Sequence, residues 1–125
     1  MRLLLDTHAL LWWIADSPQL GTAARDAIAA SETSVAVSAV SAFEIAMKRS
    51  IGKLTFDGDL QAELEHNAFE PLAVTLPHAL AAGSLPMIHR DPFDRILVAQ
   101  ASLEHRTFVT ADTTLGGYGV PVLEA

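Results

Sequence analysis

The chain has 125 residues, a formal net charge of −7, half of its residues hydrophobic and no cysteine. This is the length of one domain that can bury its own core, and the composition excludes disulfide staples, thiolate zinc sites and global disorder. A sequence pI of about 5.0 argues against a general nucleic-acid-binding surface, although an acidic pocket that collects cations reverses its own local sign.

Arg2 to Leu5 is a short apolar run that predicts a buried strand, and helical spacing follows from about His8 to Ala15. Asp16-Ser17-Pro18 interrupts, and an Ala-rich helix is predicted over Thr22 to Ala30. Ser34 to Val37 has the β-branched character of a second strand, and Ser41 opens a helix to about Ile51 that Gly52 stops. A polar helix is predicted over Asp59 to Asn67, a weaker strand over Pro71 to Thr75 and a short helix over Pro77 to Ala82. Asp91-Pro92 begins an amphipathic helix to about His105, with Phe93, Ile96, Leu97, Ala101 and Leu103 as its buried positions. Thr107 to Thr110 and Pro121 to Leu123 complete the strands. Apolar strands alternating with helices predict a single α/β domain over residues 1–125, a three-layer α/β/α sandwich around a mostly parallel sheet. No apolar stretch approaches the roughly 20 residues of a membrane span, and the run before Asp6 is too short for a signal-peptide core, so a soluble, cytoplasmic protein is expected.

Four acidic residues fall at one edge of this map. Asp6 ends the first strand, Glu44 is expected in the first turn of the helix after the second, Asp94 in the first turn of the Asp91-Pro92 helix, and Asp112 just past the Thr107 to Thr110 strand. Sites in open parallel sheets form outside the carboxyl ends of the strands. Carboxylates meeting there repel: two unit charges 4 Å apart interact by about 4 kcal/mol at an effective dielectric of 20. Protonation or bound cations make such a cluster tolerable, and oxygen donors suit Mg²⁺ or Mn²⁺. Each residue also has an ordinary structural role open to it. Ser41-x-x-Glu44 matches a capping box, Asp91, Pro92 and Asp94 match a plain helix start, Asp112 matches a turn residue, and Asp6 matches a helix cap. The convergence of the four, rather than any one of them, points to chemistry.

Met1-Arg2-Leu3-Leu4-Leu5-Asp6-Thr7-His8-Ala9-Leu10-Leu11-Trp12, Val37 to Lys48, His89-Arg90-Asp91-Pro92-Phe93-Asp94-Arg95 and Val109-Thr110-Ala111-Asp112 together resemble, in order, the four motifs of PIN-domain toxins of the VapC type. The resemblance implies a Mg²⁺- or Mn²⁺-dependent endoribonuclease that is the toxin of a type II toxin–antitoxin module. It carries the acidic catalytic and metal-binding positions to Asp6, Glu44, Asp94 and Asp112, with Asp91 as a helix cap. It further implies an RNA substrate, a homodimer and a cognate antitoxin whose C-terminal segment lies in a groove near the site, with DNA contacted only through that antitoxin. Trp12 and Trp13 are candidates to line the groove, or to pack in the core.

Of the remaining residues, Lys48 is placed to orient Glu44 from one turn away, and Arg95 is expected at the surface. Thr7 and Thr110 flank the rim. His8 and His89 have no His-Glu-x-x-His spacing and are expected to be ordinary residues. Two other functions compete. One is a catalytically silent binding module of the same fold. The other is a phosphatase with Asp6 as nucleophile, which usually has a second Asp two residues on, where this chain has His8.

Overall fold

The computed structural model describes residues 1–125. Five strands, β1 (Arg2–Leu5), β2 (Ser34–Ser38), β3 (Glu70–Leu72), β4 (Thr107–Thr110) and β5 (Val122–Glu124), form one sheet in the order β3-β2-β1-β4-β5. Every pairing is parallel, with Leu3 opposite Val35 on one side and Thr107 on the other. The helices are α1 (Thr7–Ile14), α2 (Thr22–Ala29), α3 (Ala39–Ser50), α4 (Leu60–His66), α5 (Leu76–Ser84) and α6 (Pro92–Leu103). A 3-10 helix, Thr113–Tyr118, links β4 to β5. No helix is long and apolar enough to cross a membrane.

The side-chain alternation of β1 divides the interior into two cores. Leu3 and Leu5 join Val35, Val37 and Val109 under α1, α2 and α4, through Leu10, Ile28 and Leu64. Leu4 joins Ala36 and Phe108 under α6, through Leu97, Val98 and Ala101. These are the three layers expected from the sequence. The third strand starts one residue before the Pro71 to Thr75 prediction and ends at Leu72, and its Pro71, which offers no backbone donor, is accepted because β3 is an edge strand. Leu103 is a second correction: it is 45% exposed, since α6 ends there and its last turn runs past the sheet.

The amino ends of the strands are pinned by Arg106, which is 4% exposed. Its guanidinium donates to the Leu3 carbonyl (3.1 Å), the Ser34 hydroxyl (3.2 Å) and Glu70 Oε2 (3.0 Å), so it touches β1, β2 and β3 together. The chain runs from β1 through β2 to β3 on one side and then crosses to β4 and β5 on the other, so the strand order reverses between β1 and β4. That switch point opens a crevice at the carboxyl ends of these strands.

Candidate active site

Asp6 directly follows β1 in that crevice. It is the N-cap of α1, with Oδ1 accepting from the Ala9 amide at 2.7 Å, and its own amide donates to the Val109 carbonyl at 3.0 Å. Helix cap and rim carboxylate are therefore the same residue. Burial to 7% exposure raises its pKa, against the opposing pull of the Ala9 amide.

Glu44 reaches the crevice by a route the capping box did not describe. The helix begins three residues earlier than Ser41: Ser38 is the N-cap, and its hydroxyl accepts from the Val40 amide at 3.0 Å. Ser41 is buried inside the helix and caps nothing, and Glu44 sits in the second turn rather than the first. Its side chain, freed from capping, points across to α1. Oε1 accepts from the Thr7 hydroxyl at 2.6 Å and Oε2 from Lys48 Nζ at 2.7 Å. Lys48 therefore orients Glu44, and the hydrogen bond to that carboxylate raises the lysine's pKa. The pair is the one lysine–carboxylate bridge within the acidic crevice.

Asp94 is in the first turn of α6, whose N-terminus Asp91 caps through the Phe93 and Asp94 amides. Partial burial, and then the neighbouring Asp91 charge, push the Asp94 carboxyl up from 3.8 to about 6. Asp112 caps the 3-10 helix. Its Oδ1 accepts from the Thr114 amide at 3.1 Å and from the Thr114 hydroxyl, and these bonds hold its pKa below the ordinary value. Asp6, Glu44, Asp94 and Asp112 all line one cavity of about 500 Å³, together with Thr7, His8, Lys48 and Asp91. The four carboxylates singled out in the sequence are thus brought to one cavity.

It passed over His89. The imidazole stands beside the cavity with Nε2 3.1 Å from Asp112 Oδ2 and Nδ1 3.7 Å from Asp94 Oδ2. Its neighbours are five and twenty-three positions away, so no local spacing could signal it. Arg95 is not a free surface residue either: it donates to the carbonyls of Ala82, Leu85, Pro86 and His89 and fastens the segment before α6. Trp12 and Trp13 pack half-buried against the core. Trp13 lies against Phe69 and donates from Nε1 to Asn67 at 3.0 Å. The apolar groove on this side of the molecule lies elsewhere, between α3, α4 and β3, and neither tryptophan lines it.

Residues 3–119 match the family model of the PIN domain. The chain belongs to the PIN-domain family. The ribonuclease VapC22 of Mycobacterium tuberculosis is 32% identical over 126 aligned residues, 94% of this chain and 92% of that protein. VapBC2 from Rickettsia felis, solved bound to a DNA fragment from its promoter, superposes with a TM-score of 0.72 at 16% identity, over 99% of this chain and 98% of that one. FitAcB from Neisseria gonorrhoeae gives 0.66 at 19% identity, over 97% and 96%. At those identities the likeness to solved structures speaks for the fold alone. The matched span contains Asp6, Glu44, Asp94 and Asp112, which line the crevice.

Proposed function

We propose that this PIN domain is a divalent-cation-dependent endoribonuclease and the toxin of a toxin–antitoxin pair. The observation that carries the reading is the frustration of the crevice. Asp94 is half-buried near Asp91, Asp6 and Glu44, and its carboxyl is pushed up to about 6, as desolvation and neighbouring negative charge would do until a cation offsets them. Lys48 is already spent on Glu44. A cavity walled by carboxylate oxygens fits Mg²⁺ or Mn²⁺, which take oxygen ligands. Asp6, Asp94, Asp112 and Glu44 would hold the cation, directly or through water. When bound, such a cation supplies Lewis acidity and makes a water acidic enough to attack a phosphodiester.

The protein's own groups do the rest. The Ala9 amide and the rigid end of β1 fix Asp6. Thr7 and Lys48 hold Glu44 from two sides, and Lys48, more than a third exposed, offers its remaining N–H donors to a phosphate entering from solvent. The acidic overall charge confines RNA contact to this neighbourhood and to Arg90 nearby.

The VapC22 relative is named a ribonuclease, and a solved neighbour from Klebsiella pneumoniae with a TM-score of 0.63 is a toxin–antitoxin complex, which supports the substrate class and the partner. An antitoxin segment with an apolar face fits the groove of about 580 Å³ lined by Ala42, Ile45, Ala46, Phe56, Leu64 and Leu72. A homodimer would cover Leu76 and Leu80, one turn apart on α5 and 71% and 65% exposed. A cytoplasmic location, where RNA substrate and antitoxin would both be present, accords with this function.

The test is cleavage of total cellular RNA by antitoxin-free protein, with Mn²⁺ or with chelator, beside the Asp94→Asn variant. Discrete fragments from wild type with metal only are expected. Folded protein that binds Mn²⁺ but yields no fragments from any RNA pool would transfer the assignment to a silent binding module.

A further inference from the structure

This inference rests on the cation-binding reading above and concerns a residue that reading leaves unused. His89 lies between α5 and α6, and the fold holds its backbone from two directions. The Tyr118 hydroxyl accepts from the His89 amide at 2.8 Å and approaches the His89 carbonyl at 3.3 Å. Arg95 donates to the same carbonyl at 3.2 Å while gripping Ala82, Leu85 and Pro86 upstream. One aromatic side chain and one guanidinium from two other elements therefore fix where this imidazole stands.

The ring stands between two carboxylates. Nε2 is at hydrogen-bond distance from Asp112 Oδ2, 3.1 Å. Nδ1 is 3.7 Å from Asp94 Oδ2, too long for a hydrogen bond. Two donors that share one ion at about 2.1 Å each can stand up to about 4.2 Å apart, so this gap suits a common cation. One ligand atom from each of His89, Asp94 and Asp112 lies within 4.8 Å of the others.

We infer that His89 Nδ1 is a nitrogen ligand to the cation that Asp94 holds, with Nε2–H kept on Asp112. This is the carboxylate–imidazole–metal arrangement that fixes a ligand ring's orientation and tautomer. Ligation gives up the long bond that Nδ1 accepts from the Asp91 amide, 3.2 Å. It also sets selectivity. Mg²⁺ prefers an all-oxygen shell, whereas transition ions gain from an imidazole donor, so His89 tilts the site towards Mn²⁺ and later transition ions.

The experiment loads the full chain with one equivalent of Mn²⁺ and records electron spin echo envelope modulation. Unlabelled protein is compared with protein carrying ¹⁵N only in histidine. A directly coordinated histidine nitrogen is expected, its coupling altered by the label, retained in His8→Ala and lost in His89→Ala. Calorimetry should show the Mn²⁺ dissociation constant rising about tenfold in His89→Ala while that of Mg²⁺ stays within about twofold. Mn²⁺ that binds at one equivalent and depends on Asp94, yet shows no histidine coupling, overturns the inference and leaves the carboxylate site standing. A coupling lost in His8→Ala instead also overturns it. No Mn²⁺ binding at all overturns both readings.

Discussion

The two ends of the sheet treat charge in opposite ways. At the amino end a single buried cation, Arg106, is surrounded by acceptors from three strands, and its charge is answered by Glu70. At the carboxyl end Asp6, Asp91, Asp94 and Asp112 crowd one cavity whose only lysine is already paired with Glu44. The first arrangement pairs its charge within the chain, leaving only Arg106 Nε without a partner, and ties the three strands together. The second is left open, because repulsion among carboxylates is relieved only by protons or by cations from outside. An end of a fold that remains electrostatically unsatisfied at the cost of stability marks where a ligand belongs.

The largest effect that sharpens this contrast is on activity. Asp94→Asn keeps the shape and removes the charge, and we expect RNA cleavage to fall at least about 1000-fold, equivalent to about 4 kcal/mol of barrier. Fragment yield under single-turnover conditions measures it. The converse change at the other end, Arg106→Met, should leave Mn²⁺ affinity intact while lowering unfolding free energy by about 2–4 kcal/mol, since the Leu3 and Ser34 acceptors lose their donor. Urea denaturation beside Mn²⁺ calorimetry separates the two losses; equal damage to binding would mean that the ends are not independent.

A third prediction concerns pH without metal. Asp94 has a folded pKa of about 6 against 3.8 unfolded, so the folded state holds its proton more tightly. The resulting stability is fully present below about pH 4 and is lost as pH rises through about 6, a decline of about 2–3 kcal/mol. Asp6, raised by burial, acts in the same direction, whereas Asp112, lowered by Thr114, contributes stability that disappears as pH falls through its folded pKa. Chemical denaturation between pH 4 and 7.5 in chelator should show the decline in wild type and a flatter profile in Asp94→Asn. The smallest effect is that of Lys48→Ala. Lys48 is more than a third exposed and the Thr7 hydroxyl still holds the buried Glu44, so thermal denaturation should register no more than about 1 kcal/mol, while Glu44 becomes a looser carboxylate.

The sequence made the rim legible because Asp6 and Asp112 each follow an apolar strand and Asp94 follows a Pro that marks a helix start. The start of α3 was misjudged for a physical reason. Ser38 and Ser41 are both competent caps, and only the direct passage from β2 into α3, with no loop between, selects Ser38. That shift by three residues moves Glu44 from capping its own helix to meeting Thr7 on another. The placement of His89 beside the site and of Arg95 beneath it was not legible, since both depend on a segment folded back over α6 and on a hydroxyl from Tyr118, contacts with no signature in local spacing. Nor did residues 113–118 announce their 3-10 turn, which follows from the Asp112 cap and the turn ending at Gly119 with φ of 84°.

The most direct test of the central claim is a thermal melt at pH 7.5 of wild type and Asp94→Asn, each in chelator and in saturating Mn²⁺. If the carboxyl rim awaits a cation, Asp94→Asn is the more stable protein in chelator, and the order reverses in Mn²⁺ as wild type gains about 4 kcal/mol at roughly 1000 times its dissociation constant. A wild type that melts identically with and without Mn²⁺, and no less stably than Asp94→Asn in chelator, would contradict the account.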